Sequence, residues 1–360
     1  MNFADALRRL DGTAEITALG TERGLDTTLI PARGYRLELI PPVPLPRRFN
    51  RALLAVPSRL GASVGAAGEV LDRVRAEAVV GFGGYVAMPA YVAAKRRGIP
   101  IVVHEANARP GVANRVAARM TAHVFTASAT VRLQHATAIG IPLRPVIANL
   151  DRQALRARAR ARFGLLPDGP VLLVTGGSQG ARAINWAASG AAAALRAAGV
   201  QVLHIAGPKN IIDLASSAPG GPPYVVVPYV DEMHYAYAAA DFVLCRCGAM
   251  TCAELTAVGL PAAYVPLPMR GGEQRYNAEP IVAAGGGLLV ENDALSPAWI
   301  VEHVVPTITD PERLAAMSRA AGHAGSRDAD VVLALHVLNV IAEYRHFAAG
   351  ERGRSSRRQP

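Results

Sequence analysis

The segment 241–280 constrains the fold of this chain most strongly, because it alternates apolar runs with helix signals. Residues 242–245 (FVLC) form an apolar run that indicates a buried strand of a parallel sheet. Gly248 interrupts the run, and the spacing Thr251-x-x-Glu254 predicts a capping box at the start of a helix. A second apolar run at 262–265 predicts the next strand. Polar groups therefore lie where strand ends meet helix starts, which is where open α/β sheets bind ligands.

The same alternation continues along the chain and divides it into two halves. In each half, short apolar runs are separated by turns and helical patterns, which predicts an α/β fold with a doubly wound parallel sheet. The segment 141–151 carries two prolines, so we place the domain boundary there. The predicted organisation is an N-terminal domain, a C-terminal domain, a final helix and a disordered basic tail, at residues 1–145, 146–325, 326–347 and 348–360.

The composition narrows the possible partners. The 38 basic residues against 28 acidic ones give a net charge of +10, which suits an anionic membrane surface or a phosphorylated substrate. Basic residues are not interleaved with exposed aromatics, so no nucleic acid is expected as a partner. The three cysteines are spaced C-x-C-x4-C, which fits neither zinc binding nor paired disulfides and indicates buried thiols in a reducing cytoplasm. We find no signal peptide and no apolar run long enough to span a bilayer.

A glycine-rich turn follows the strand predicted at 171–174. Its sequence, Gly176-Gly177-Ser178-Gln179-Gly180, precedes a predicted helix. Glycines let backbone N–H groups approach a ligand, and a helix N-terminus favours negative charge. A diphosphate is therefore the natural ligand, with the Ser178 hydroxyl as an added donor. The alternative is a tight strand-to-helix turn that binds nothing.

A second glycine-rich turn, 81–85, lies in the first half of the chain. Together with Glu105, it partly matches the dinucleotide-binding fingerprint of glycine turn, helix, strand and acid. The last glycine of that fingerprint is absent and Pro89 falls in the first turns of the helix, which argues against nicotinamide binding. His104, Glu105 and Asn107 form a polar cluster at the end of the next strand, although a lone histidine there is more often structural than catalytic.

These motifs, in this order, resemble those of glycosyltransferases with the GT-B fold, and most closely those of the MurG family within glycosyltransferase family 28. The resemblance covers nearly all of the chain from residue 3 to about 345. It rests on segments of stated spacing: G-x-G-G-Y-x-x-x-P at 81–89, H-E-x-N at 104–107, G-x-P-x-R at 140–144, G-G-S-x-G at 176–180, R-x-G-x-x-T-x-x-E-L at 246–255 and Q-x-x-N-A at 274–278.

The resemblance implies a GT-B fold, with two Rossmann-like parallel-sheet domains facing across a cleft and a final helix that returns to the first domain. It implies an inverting hexosyltransferase that moves N-acetylglucosamine from UDP to the C4 hydroxyl of the N-acetylmuramyl sugar of lipid I. The product would be lipid II for peptidoglycan synthesis, which serves cell-wall growth, cell shape and cell division. The implied mechanism is direct displacement without a cofactor or an essential metal.

The resemblance also assigns site residues. Glu105 and His104 are the local candidates for the general base. From the residues alone, Glu254 is also explained as a helix cap and Val230 as an ordinary apolar residue. The positions implied to bind UDP-N-acetylglucosamine are Asn107, Arg144, Ser178, Val230, Ala249, Met250, Thr251, Cys252, Ala253, Glu254 and Gln274; those of the phosphate turn are Gly176, Gly177 and Gly180; those on the acceptor side are Gly83, Gly84 and Tyr85.

An apolar strip flanked by cations lies between Arg47 and Leu60. Arg47, Arg48, Arg51 and Arg59 alternate there with leucine and valine. As a helix, this pattern suits docking to an anionic membrane surface, although an ordinary amphipathic core helix explains it equally well. With the lipid-linked acceptor that the resemblance implies, it predicts a peripheral protein on the cytoplasmic face of the cell membrane.

One part of the family pattern has no counterpart here. The family begins with a strand and a G-G-T-x-G-H loop, whereas this chain begins with a helical pattern at 1–10 and a strand at 14–19. We therefore expect a first sheet without its central member, with the true start upstream of Met1 or, alternatively, a truncated relative. Two further hypotheses stay open: another GT-B lipid glycosyltransferase, or a non-catalytic protein that binds a UDP-sugar.

Overall fold

The computed structural model describes residues 1–22, 26–43, 56–212, 214, 221–268 and 272–355, and of 56–57 and 348–355 the backbone alone. The chain divides into two compact units, the first made of residues 1–142 and 328–360 and the second of residues 143–327. The sequence prediction set these boundaries at 145 and 325. Arg47, Arg48 and Arg51 of the predicted membrane strip lie outside the described residues.

The first unit is an α/β layer structure with parallel strands. Its strands form two separate sheets in the described chain, with orders β1-β2 and β3-β4-β5-β6. The elements of this unit are α1 (Asn2–Leu10), β1 (Thr17–Gly20), α2 (Asp26–Ala32), β2 (Arg36–Leu39), α3 (Val56–Arg73), β3 (Val79–Gly81), α4 (Ala87–Arg96), β4 (Ile101–Glu105), α5 (Val112–Ala117), β5 (Val124–Thr126), β6 (Ala136–Ala138) and α16 (Ala329–Ser355).

The helices α1 and α16 pack against one another and share a core with the four-stranded sheet. Phe3 and Leu7 of α1 lie in one buried cluster with Val102 of β4 and Leu333 and Val337 of α16. The backbone of α16 continues to Ser355, past the predicted helix end at 347. The segment predicted as a disordered tail therefore starts as helix, as a continuation of α16.

The second unit has a single six-stranded parallel sheet, in the order β12-β11-β10-β7-β8-β9. β7 and β10 are neighbours at its centre, and the chain winds outward from them in both directions. Its elements are α6 (Pro145–Ala148), α7 (Arg152–Arg162), β7 (Val171–Thr175), α8 (Arg182–Gly190), α9 (Ala192–Ala197), β8 (Gln201–Ile205), β9 (Tyr224–Val227), α10 (Met233–Ala239), β10 (Phe242–Arg246), α11 (Ala249–Ala257), β11 (Ala262–Val265), α12 (Glu273–Ala283), β12 (Gly287–Leu289), α13 (Pro297–Trp299), a π-helical turn (Ile300–Val304), α14 (Val305–Ile308) and α15 (Pro311–His323).

Part of the positive charge of the chain serves the interior of this unit. Arg152, Arg156 and Arg160 recur every four residues on α7 and so share one face. Arg152 donates to the Tyr237 carbonyl at 3.1 Å, while Arg156 and Arg160 pair with Asp241 at 2.7 and 3.0 Å. Burial lowers the pKa of Arg152 to about 10. These arginines tie α7 to the end of α10, so they are not available to an anionic partner.

Candidate active site

The ends of β7 and β10 bring two of the predicted binding segments together. Cys245 of β10 is in register with Thr175 of β7, and both strands point the same way. Neighbouring strands lie about 4.8 Å apart. The glycine turn after β7 and the start of α11 after β10 therefore meet at one edge of the sheet. This is the point where strand order reverses, the usual place for a ligand in an open α/β sheet.

The glycine turn 176–180 is closely packed on its inner side and open on its outer side. Gly177 and Gly180 have φ values of +88° and +73°, which only glycine adopts readily. A Cβ atom on Gly180 would lie 1.9 Å from the Ala206 carbonyl oxygen, whereas one on Gly177 would meet nothing within 4 Å. Ser178 is exposed, and the nine-residue helix α8 follows the turn. This geometry suits an anion bound by backbone N–H groups.

A polar network that the sequence analysis did not identify supports this turn on its packed inner side. Asn210 donates to the carbonyls of both Gln179 and Ala206, at 3.1 and 3.0 Å. Asn185 of α8 donates to the same Ala206 carbonyl at 2.9 Å. His204 contacts the Asn185 amide oxygen through Nε2 at 3.0 Å, and burial lowers its pKa to about 4, so it acts as a neutral donor. No local signal marks these residues, because β8 brings them to the turn.

The start of α11 differs from the predicted capping box. Gly248, in extended conformation, is the N-cap residue, and no side chain caps the helix. Ala249 and Met250 thus form the first turn with Thr251, and their backbone N–H groups lack intrahelical partners. The predicted capping box at Thr251 and Glu254 is therefore wrong. Gly248 takes the N-cap position, so the T-x-x-E spacing falls inside the helix. Glu254 lies one turn further on, at the sixth residue of α11.

Glu254 is buried and held by two side chains. The Tyr237 hydroxyl donates to its Oε2 at 2.7 Å, and Arg144 Nη2 contacts its Oε1 at 3.4 Å. Burial raises the pKa of Tyr237 well above its usual value, and the neighbouring Glu254 adds to the shift, so the hydroxyl stays a donor. A carboxylate has about four acceptor sites, and Glu254 uses two here. It therefore keeps acceptor capacity for ligand hydroxyls, which a helix cap would not need.

Side chains around the end of β10 fix the neighbouring loops. Arg246 donates to the Pro266 carbonyl at 3.0 Å and to Asn292 at 2.8 Å. Gln274 of α12 accepts from the Leu267 backbone N–H at 3.1 Å through its side-chain oxygen. In the second unit, two further predicted positions pack against the core: Val230 and Ala253 are partly buried. Gln274 thus holds the backbone of Leu267, which follows β11.

The three cysteines lie beneath this site as free, buried thiols. Burial raises the pKa of Cys245, Cys247 and Cys252 above the usual range, so all three stay protonated. The predicted donor-binding position Cys252 faces the core cluster rather than solvent. In the described residues, no group of three or more histidine, cysteine or carboxylate side chains has the arrangement of a metal site. The cysteines therefore contribute packing to the sheet under the site.

In the first unit, His104 is enclosed at the end of β4. Its Nε2 lies 2.8 Å from the Gly140 carbonyl oxygen, so this nitrogen carries the proton. Burial lowers the pKa of His104, which keeps the ring neutral. Nδ1 has no partner and no exposure to solvent, and the ring packs against Phe82 at 5.6 Å between centroids. This position is that of a structural histidine.

Glu105 uses its whole carboxylate to organise the segment that follows it. Oε1 accepts from the backbone and side-chain amides of Asn107, at 2.9 and 3.3 Å. Oε2 accepts from the Gly111 N–H and from Asn114, both at 2.9 Å. These four bonds fill its acceptor sites, and the residue is only 2% exposed. The geometry argues against Glu105 as a general base and equally against the ribose contact of a dinucleotide site.

The same network reaches the glycine turn predicted on the acceptor side. The Tyr91 hydroxyl donates to Asn114 at 2.8 Å and is hydrogen-bonded to the Gly83 backbone, while burial raises its pKa. Gly83 and Gly84 have φ values of +85° and +84°. Tyr85 is exposed beside them. The predicted segments 81–85 and 104–107 are therefore joined through Tyr91 and Asn114, two residues that the sequence analysis did not identify.

Comparisons with known proteins agree with this architecture. The N-terminal domain of glycosyltransferase family 28 matches residues 1–126, and the C-terminal domain of that family matches residues 171–333. The chain belongs to glycosyltransferase family 28. Among family 28 relatives, a Streptomyces avermitilis protein is 58% identical over 94% of each chain. A Rhodococcus opacus protein is 57% identical over 95% of this chain and 92% of its own. Both are named UDP-N-acetylglucosamine–N-acetylmuramyl-(pentapeptide) pyrophosphoryl-undecaprenol N-acetylglucosamine transferase.

Solved structures share the fold of this family 28 chain. Acinetobacter baumannii MurG has a TM-score of 0.76 and 24% identity, with 95% of each chain covered. The UDP co-structure of S. aureus MnaA has a TM-score of 0.63 and 12% identity, covering 96% of this chain and 92% of the other. The predicted GT-B fold of two parallel-sheet α/β domains is thereby confirmed.

Proposed function

We propose that this chain is an inverting glycosyltransferase that moves N-acetylglucosamine from UDP to the C4 hydroxyl of the N-acetylmuramyl sugar of lipid I, giving lipid II. The observation that carries the proposal is the placement of the turn 176–180 beside the start of α11, the helix that carries Glu254, at the switch point of the second sheet. The names of relatives that share more than half of its residues support the choice of sugar and acceptor.

The second unit supplies what a nucleotide-sugar donor needs. The open side of the glycine turn and the free N–H groups at the starts of α8 and α11 suit a diphosphate. The Glu254 carboxylate, which Tyr237 holds at Oε2 and Arg144 contacts at Oε1 only at 3.4 Å, suits the vicinal hydroxyls of a ribose. Val230 is partly buried against the core and offers an apolar surface for a pyrimidine ring. Arg144 contacts Glu254 at 3.4 Å, and its cation suits the diphosphate charge.

The chemistry proposed is a direct displacement at the anomeric carbon. The acceptor oxygen forms the new glycosidic bond as the bond to the diphosphate oxygen of UDP breaks, and a general base takes the proton of the acceptor hydroxyl. Negative charge grows on the leaving diphosphate, where preorganised N–H donors stabilise the transition state more than the ground state. His104 and Glu105 are fully enclosed by protein, so we assign them to support of the segment 104–111 rather than to proton transfer.

The proposal is tested by titrating UDP into the protein and by assaying transfer to lipid I. We expect Glu254→Ala to weaken UDP binding by about 1.5–3 kcal/mol, because a charged acceptor is lost. Glu279→Ala, on the exposed face of α12, is the matched control and leaves UDP binding unchanged. Equal UDP affinity of wild type and Glu254→Ala would refute the ribose role. Binding without any transfer would leave a UDP-sugar-binding protein.

We further propose that the protein acts at the cytoplasmic face of an anionic membrane, where a lipid-linked acceptor lies. Within the described part of the chain, no helix has the length and apolar composition of a membrane span. The support is the sequence pattern at Arg47, Arg48 and Arg51. Each cation near such a surface contributes about 1 kcal/mol. Changing all three to Glu lowers sedimentation with anionic vesicles; unchanged sedimentation would contradict the proposal.

A further inference from the structure

Two side chains proposed to bind the donor bind each other in this structure. Arg144, proposed for the diphosphate, contacts Glu254, proposed for the ribose. We propose that the donor exchanges this pair: ribose hydroxyls replace Arg144 at Glu254, and Arg144 turns to the diphosphate. Because both partners must be re-satisfied, the pair makes the site selective for a complete nucleoside diphosphate over its fragments. This inference rests on the proposed function and deepens it.

Glu254 is the fixed member of the pair. Its side chain is 10% exposed and lies on α11, whose neighbours include the core of the second sheet. The buried Tyr237 hydroxyl holds Oε2 at 2.7 Å and thereby directs Oε1 toward Arg144. Tyr237 itself belongs to α10, which Arg152 anchors through the Tyr237 carbonyl. The carboxylate is therefore presented in one orientation whether or not a ligand is bound.

Arg144 is the member that can move. It is the N-cap residue of α6, with an extended backbone, and its side chain is 34% exposed. Its contact with Glu254 is a single interaction at 3.4 Å, at the long end of the hydrogen-bond range. A long side chain with one long contact at its tip is released at low cost. Because Arg144 is accessible to solvent, we take the value of a solvent-accessible ion pair, about 0.2–1 kcal/mol, which is a factor of about 1.4 to 5 in an equilibrium constant.

The pair has opposite consequences for whole and partial ligands. Uridine gains the Glu254 contact but leaves Arg144 without a partner. It therefore binds more weakly than it would if Glu254 were not paired with Arg144. Inorganic pyrophosphate gains Arg144 but leaves the Glu254 carboxylate without its cation. UDP satisfies both groups and breaks the pair only once. For UDP, two new contacts thus offset the free energy lost when the pair breaks, whereas for each fragment only one new contact offsets it.

The test measures uridine, pyrophosphate and UDP affinities by calorimetry for wild type, Arg144→Met, Glu254→Gln and the double variant. Uridine is the cleanest probe, because it carries no charge and does not sense the loss of a cation directly. We expect Arg144→Met to bind uridine about 1.4- to 5-fold more tightly and UDP about tenfold more weakly. Glu254→Gln binds uridine more weakly and pyrophosphate more tightly. Arg275→Met, on the exposed face of α12, is the matched control and changes neither affinity.

The double variant gives an independent check. Each single variant already lacks the pair, so the cost of breaking it is absent from both. The UDP affinity of the double variant therefore falls by more than the product of the two single factors, by about the same 1.4- to 5-fold. If uridine bound to Arg144→Met as tightly as to wild type, or more weakly, the proposed exchange would be overturned. The proposal that the site binds UDP would stand. Wild-type protein that binds neither uridine nor UDP overturns the proposed function itself. Equal thermal midpoints of the variants show that these outcomes do not reflect unfolding.

Discussion

Glu105→Gln tests whether the carboxylate of the first unit organises the fold or carries out proton transfer. Glutamine has nearly the same shape but replaces one acceptor oxygen with an NH₂ donor. Every position around Glu105 is occupied by a donor: Asn107 contributes two, and Gly111 and Asn114 contribute one each. In either orientation of the glutamine amide, its NH₂ group faces two N–H donors that the replaced oxygen had accepted from. The site is only 2% exposed, so water cannot relieve this mismatch.

The magnitude follows from this count of contacts. A hydrogen bond to a charged group contributes about 1.5–3 kcal/mol, and the variant loses two of them, so we expect a loss of roughly 3–6 kcal/mol of unfolding free energy. Domains have total stabilities of about 5–15 kcal/mol, so this loss is a large fraction of the whole. Because Asn114 also contacts Tyr91, the glycine turn 81–85 loses support as well.

Urea unfolding of the first unit, followed together with the transfer rate, is the assay. Glu77→Gln is the matched control, since Glu77 makes an exposed pair with Arg345 in the same unit and its loss leaves the midpoint unchanged. If Glu105→Gln unfolded at the wild-type urea concentration and lost kcat by about 10²–10⁴, as a general base would, our assignment would be refuted.

The glycine turn and the docking of α16 each carry further predictions. We expect Gly177→Val to fold, with a backbone penalty of about 1–2 kcal/mol, because a side chain there meets no other atom. Its side chain fills the open side of the turn, so the variant loses glycosyl transfer. Retained transfer in the lipid I assay would contradict the phosphate role of the turn. Gly180→Ala instead lowers the urea midpoint of the second unit, since its Cβ meets a carbonyl oxygen at 1.9 Å, and an unchanged midpoint would count against that packing. His336 lies 3.1 Å from His123, and burial, with His123, lowers its pKa. A free histidine has a pKa of about 6.5, so the contribution of His336 to the free energy of unfolding is full above that pH and falls as the pH drops below it. We expect His336→Phe to reduce the difference in unfolding free energy between about pH 7.5 and 5.5. An equal difference in wild type and variant would refute this role of His336.

The sequence by itself determined the elements and the family of this protein. Apolar runs such as 242–245 and glycine turns such as 176–180 are local signals, because backbone periodicity and positive φ values depend on neighbouring residues. The predicted order of strands and turns therefore matches the observed β7–α8 and β10–α11 units. Where two local explanations competed, as for Thr251 and Glu254, the sequence did not distinguish a cap from an interior helical position.

Only the tertiary structure decided what the buried polar side chains do. Glu105 looked like a catalytic candidate beside His104, yet its role follows from donors that approach from α5 and the preceding loop. Glu254 looked like a cap, yet Tyr237 from α10 holds its carboxylate and Arg144 from the start of the unit contacts it. A buried polar atom must find a partner wherever the fold brings one, and that partner is set by packing rather than by sequence spacing.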